Sequence, residues 1–203
     1  RVAADPNLHL TIVTALSLER PRPHNDLEKR FMDPLMDRIF GDYPELAYLA
    51  PVRTNTLPAN IVFMEFFLNP GKCLNNDNEQ QNYISSNYTH VVRDLLALGV
   101  NVCAQMVSRE EIDGKTWYSL SCNSDLTLDL VRQMRAPGQQ NRRVAVVAEI
   151  NANLPFMVND AMVDQATFDM VVDNPACKYT LPGPPNMAVS MVDHAIGLLA
   201  STL

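Results

Sequence analysis

The 203-residue chain has no C-x-x-C pair, no glycine-rich phosphate loop and no long apolar run. Each absence removes a class of function. Its four cysteines, Cys73, Cys103, Cys122 and Cys177, lie far apart with no histidine at ligand spacing. No metal site is expected, and free thiols in a reducing cytoplasm are the simplest reading. Cys103 and Cys122 fall in strand-like runs, where cysteine behaves as a small buried hydrophobe. G-x-G-x-x-G, G-x-x-x-x-G-K-[ST] and G-x-S-x-G are all missing, which excludes the usual dinucleotide, nucleotide and hydrolase signatures. There is no internal repeat. A basic excess is missing too: 16 Lys and Arg face 23 Asp and Glu, a net charge of −7. That balance argues against a nucleic-acid partner, whose electrostatic footprint is basic. Apolar runs stay well short of the ~20 residues of a spanning helix, and no basic segment leads into an apolar one at the start. Neither membrane insertion nor a signal peptide is expected.

What is present is globular. Apolar residues make up 47% and charged ones 19%, enough for one real core in one domain. Strand-like runs alternate with helical ones. Leu8–Leu18, Ile61–Phe67, Val100–Val107 and Thr116–Ser121 are β-branched or apolar. Asn25 or Asp26 caps a helix from Leu27 to Gly41, with Pro34 placed to split it. Asn75–Asn87 reads as a surface helix and loop, and Thr89–Leu98 as a helix closed by Gly99. Ile112-Asp113-Gly114-Lys115 signals a hairpin. A helix follows from Ser124 or Asp125 to Met134. Pro182-Gly183-Pro184-Pro185 reads as a rigid linker into a last helix from Met187. The alternation predicts an α/β fold with an open, mainly parallel sheet flanked by helices.

The stretch from Arg142 to Asp173 holds the most information. Val144–Ile150 is short and nearly all apolar, the pattern of a strand buried on both faces. It empties into Asn151-Ala152-Asn153-Leu154-Pro155. Ligands of open α/β sheets collect beyond the carboxyl ends of the strands, so this exit is a candidate site. A plain strand-to-loop transition explains the same residues, because Asn and Pro also serve turns.

Three segments resemble the N-terminal half of the acetyl-CoA hydrolase/transferase family, the glutamate-dependent CoA-transferases. They are Tyr118-Ser119-Leu120-Ser121 with Leu126-Thr127-Leu128, then Val147 to Pro155, then Asp160 with Phe168-Asp169 and Val171-Val172-Asp173. Asp193 to Ser201 is similar to the family's helix before a glycine-rich segment. The early part, Leu10–Leu18 and Ile61–Gly71, resembles a long-chain bacterial subgroup. Phe156 stands where the family often has Arg. Asn159 replaces a Gly, and Asn best tolerates a left-handed backbone.

The resemblance implies a NagB/RpiA-like N-terminal lobe spanning residues 1–203, cut from a longer polypeptide at both ends. It implies transfer of coenzyme A, as substrate rather than tightly bound cofactor, between an acyl-CoA and a short carboxylic acid or water. The nucleophilic glutamate lies in a C-terminal lobe, so no catalytic residue is expected in this chain. Partners implied are that lobe and further copies of the protein. Substrate-binding residues are expected at Asn151, Asn153 and Pro155, then at Ser121 and Asn123. For each a purely structural role competes: Asn151 bonding loop backbone, Ser121 capping a helix, Cys122 packing. Glu149 reads as half of a buried ion pair, His90 with Arg93 as a surface pair, and His194 as packing or capping. A non-catalytic α/β domain for oligomerisation or ligand binding is the alternative.

Overall fold

The computed structural model describes residues 2–67, 70–137, 143–175, 179–182 and 188–202. Cys177, Arg142, and Gly183-Pro184-Pro185 of the expected linker lie outside the described residues. Among the described residues there are seven strands and six α-helices, interleaved as expected, with the short helix Leu49–Arg53 and the short strands Met162–Val163 and Met170–Val172 as elements the sequence pattern does not signal. Strand β1 (Leu10–Thr14) leads to α1 (Asp26–Phe40) and α2 (Leu49–Arg53). Then come β2 (Ile61–Glu65), α3 (Asp77–Gln81), α4 (Val91–Ala97), β3 (Val102–Ile112) and β4 (Lys115–Ser119). The rest is α5 (Ser124–Met134), β5 (Ala145–Ile150), β6 (Met162–Val163), β7 (Met170–Val172) and α6 (Met191–Ala200).

Local chemistry sets the boundaries. The Asn25 side chain accepts the Glu28 N–H to start α1, and Gly41 ends it at φ +49°. Pro34 sits inside α1 without ending it. Asp113 and Gly114 both take positive φ, +52° and +74°, as a two-residue hairpin with the strands' right-handed twist requires. The pairing β3–β4 is antiparallel across that turn.

The sheet is mostly parallel, in two parts. β1 and β2 pair in parallel. A five-stranded sheet has the order β6-β4-β3-β5-β7, parallel from β3 through β5 to β7 and antiparallel from β3 through β4 to β6. Numbered among themselves, the parallel strands run 2-1 and 3-4-5, a doubly wound order divided at its switch point.

One core joins both parts. Val91 and Leu95 of α4 and Leu130, Val131 and Met134 of α5 pack with Cys103, Val107, Val146, Ala148 and Ile150; Val13 of β1 reaches the same cluster. β5 is not buried on both faces. Val146, Ala148 and Ile150 are buried under those helices, whereas Ala145, Val147 and Glu149 are half-buried. Among the described residues Glu149 pairs with no cation, so the expected buried ion pair is not found there. The Asn-rich stretch is not all surface either. Asn76 and Glu79 are buried, and Arg53 bridges Glu79 to Glu19, which Lys72 also holds. A buried Glu needs such a partner, and Asn76 caps α3 while its amide donates to the Val52 carbonyl at 3.0 Å.

Candidate site at the exit of the central strands

β3 is longer than its neighbours, so two strands end against its middle. Val107 is level with Ile150, the last residue of β5, and Ser108 is level with Ser119, the last of β4. The loop that leaves β5 therefore crosses β3 and β4 before β6 joins the far edge of β4.

Asn151 anchors the start of this loop. It is fully buried; its N–H donates to the Val107 carbonyl at 2.9 Å and its side-chain amide to the Tyr179 carbonyl at 2.9 Å. Its side-chain oxygen accepts the Asn153 N–H at 3.0 Å, closing an Asx turn. Every strong hydrogen-bonding group of Asn151 is thereby engaged. Asn153 is exposed, and its side-chain amide has no partner among the described residues. Pro155 is exposed; its carbonyl accepts the Ser108 hydroxyl at 3.3 Å.

Ser119 pins the other side, and sequence reasoning missed it. Fully buried, its hydroxyl donates to the Met157 carbonyl at 2.8 Å and accepts the N–H groups of Met157 (2.9 Å) and Ser121 (3.1 Å). A buried hydroxyl must be satisfied, and here that need ties the exit loop to the end of β4. Ser119 falls inside the Tyr118–Ser121 segment already singled out, but nothing in that pattern says what its hydroxyl holds.

Ser121 is buried with φ +56°, a left-handed conformation rare outside Gly and Asn. It does not cap α5. Asn123 precedes the helix as its N-cap, yet its side chain makes no capping bond. Asn159 takes φ +60°, as expected for the residue that replaces Gly. Cys122 is exposed rather than packed, because the chain turns out of the sheet after Leu120. The five expected residues thus fall into two groups flanking β3: Asn151, Asn153 and Pro155 on the loop, Ser121 and Asn123 beyond β4. Phe168 and Tyr118 meet edge to face at 5.5 Å behind them.

Asn123 also borders a cleft of about 680 Å³ between β1 and the first half of β3. Its lining includes Thr11, Val13, Phe66, Tyr88, Leu130 and Thr127, and sequence patterning gave no sign of it. The Thr127 hydroxyl donates to the Gln105 side chain at 2.8 Å, and Gln105 donates to the Met106 carbonyl at 3.1 Å. Burial pushes the Cys103 thiol in this wall upward, away from thiolate. Among the described residues no cluster of His, Cys, Asp and Glu is arranged to hold a metal. No helix among them is long and apolar enough to cross a membrane.

No protein-family model matches the chain, and no curated protein matches it. Solved structures do. A variant of RipA aligns with 78% of this chain and 36% of its own at 19% identity, with a TM-score of 0.48. RipA from Yersinia pestis aligns over 94% of this chain and 43% of its own at 16% identity and TM-score 0.46. A 4-hydroxybutyrate CoA-transferase from Porphyromonas gingivalis aligns over 64% and 30% at 16% identity and TM-score 0.35. The chain spans less than half the length of each. Likenesses of this degree do not identify a function.

Proposed function

We propose that this chain is the N-terminal lobe of an acyl-CoA hydrolase or CoA-transferase. The full protein moves coenzyme A between an acyl-CoA and a short carboxylate or water, in the cytoplasm and as a homo-oligomer. Coenzyme A is substrate, not resident cofactor. The observation that carries the reading is spatial. Two of the segments that resemble the family, residues 118–121 and 147–155, meet beside the middle of β3, where Ser119 and Ser108 tie the end of β4 to the exit loop of β5. This is the carboxyl-end position where α/β sheets hold ligands.

The chemistry is nucleophilic catalysis by a carboxylate. A glutamate of the C-terminal lobe attacks the thioester carbonyl; the C–S bond breaks, leaving a mixed anhydride and CoA thiolate. The thiolate then attacks the glutamyl carbonyl and expels the acyl group as a carboxylate, giving an enzyme–CoA thioester. A second carboxylate reverses both steps, or water hydrolyses the thioester. This lobe supplies a wall. Asn153, held by the Asx turn at Asn151, is the exposed amide able to donate to a developing oxyanion, and the pinned loop excludes water from the acyl group.

Two measurements test the reading. The isolated 203-residue chain is expected to exchange no label between acetyl-CoA and acetate, because the glutamate lies outside it; turnover by the pure chain would sink the assignment of the nucleophile. The full-length protein is expected to exchange CoA with at least one short acid from a panel of straight-chain carboxylates. Failure with every acid and with water would favour a non-catalytic domain.

A further inference from the structure

The cleft between β1 and β3 is a gap between two open strand edges. In a parallel pair, alternate residues bond to one neighbour and the residues between them point the other way. On β1 the Leu10 N–H bonds to the Asn60 carbonyl, and the Thr14 carbonyl accepts the Phe66 N–H. Leu10, Ile12 and Thr14 therefore face β2, leaving Thr11 and Val13 to point outward. On β3 the Asn101 and Val107 carbonyls accept N–H groups of Ala145 and Asn151. Cys103 and Gln105 share that parity, so Val102 and Ala104 point away from β5. Thr11, Val13, Val102 and Ala104 all line the cleft, and their backbone groups have no partner among the described residues. Further along the same edge the gap closes: Gln105 caps the Met106 carbonyl, and β4 pairs from Ser108 onward.

Two features define what fits. Free N–H and C=O groups on both walls suit an extended chain that carries amides of its own, as in strand addition. The charge of the lining disfavours anions: among the described residues it contains no Lys or Arg, and its only acidic and imidazole groups are Asp125 and His9. A phosphate would lack a counter-charge there. Phe66, Leu95 and Leu130 add an apolar floor, and the volume lies in the range of small-molecule sites. The gap lies between the first and third parallel strands, beside the first half of β3.

We propose that this cleft binds the pantetheine arm of the acyl-CoA substrate. The arm is uncharged and extended, and its two secondary amides are joined by short methylene links. The inference rests on the function proposed above. The nucleotide and its phosphates stay outside the cleft.

Backbone amide NMR on the unmodified chain, titrated with pantetheine, tests it. Shifts are expected at Thr11, Val13, Val102 and Ala104, with none there on titration with 3′-phospho-ADP. The variant Ala104→Pro deletes one cleft-facing donor without touching the β5 ladder, a change edge strands tolerate. It is expected to weaken pantetheine binding about tenfold, the loss of one buried hydrogen bond. Absence of shifts in the unmodified chain, shifts confined to the loop after Asn151, or equal shifts with an uncharged capped tripeptide would each overturn the proposal. The exchange assay on the full-length protein keeps the two ideas apart. Exchange without cleft shifts rejects the cleft alone, and cleft shifts without exchange reject the transferase reading alone.

Discussion

At the scale of single residues, two asparagines two positions apart separate a structural role from the role proposed for the exit loop. Asn151 is buried with its donors and its acceptor engaged, whereas Asn153 is exposed and, among the described residues, only its backbone is bonded. Replacing Asn151 by Ala removes its bond to the Tyr179 carbonyl and leaves the Asn153 N–H without the Asx-turn acceptor, and should cost about 2 kcal/mol in urea unfolding. Asn153→Ala should leave stability within about 0.5 kcal/mol while lowering the CoA exchange proposed for the full-length protein. A large loss of stability from the second change and none from the first would reverse the two roles. Ser121 offers a separate test. Its φ of +56° is strained for any residue with a Cβ, by roughly 1 kcal/mol. Ser121→Gly should therefore raise the thermal midpoint or hold it, and Ser121→Val should lower it. A fall in midpoint with Gly would show that the hydroxyl outweighs the strain.

At the scale of elements, the exit of β5 is tied down at its far return as well. The Asp169 carboxylate accepts the Val146 N–H at 2.7 Å and the Arg135 guanidinium at 2.8 Å, joining β7's entrance to β5 and to the end of α5. Those bonds, the Val146 N–H first, hold its carboxyl below the usual Asp range. A lowered folded-state value means stability present above the unfolded Asp value and lost as pH falls through the folded one. The thermal midpoint of Asp169→Asn should thus fall below that of the parent at neutral pH, and the two should converge in acid below the ordinary Asp range. Parallel midpoint curves across that range would remove the charge from the account. These elements show what the sequence made legible. The five longer strands, the cap at Asn25 and the turn at Asp113-Gly114 follow from local chemistry written in adjacent residues, and the left-handed Asn159 from the tolerance of Asn for that backbone, whereas the short β6 and β7 carry no such local signal. The role of Ser119, the exposure of Cys122 and the burial of Asn76 and Glu79 depend on partners 24 or more residues away or on where the chain leaves the sheet, and no local pattern encodes them.

At the scale of the whole molecule, the largest run of exposed apolar residues among the described residues lies on α6. On α6, Met191, Val192, Ala195, Ile196, Leu198, Leu199 and Ala200 cover about 200° of the helix at 100° per residue, and only Asp193, His194 and Gly197 interrupt it. A helix apolar over more than half its circumference belongs in an interior. Here none of its residues is buried, with Met191 83% and Leu199 69% exposed. A well-made start does not explain this: Ser190 and Asp193 form a capping box, so the helix is set locally and its apolar arc is surplus to that. Contiguous apolar surface of this kind drives association in water. The 203-residue chain should therefore bind an apolar dye and run in sizing above the 22.7 kDa of one copy. The double change Ile196→Glu and Leu199→Glu, toward one side and at the middle of the arc, should abolish dye binding and return the monomer. Because those side chains touch no core, the urea midpoint should stay where it was. A monomeric, dye-free parent would mean that the arc is already covered in solution, and a fall in midpoint with the glutamates would place it inside the fold.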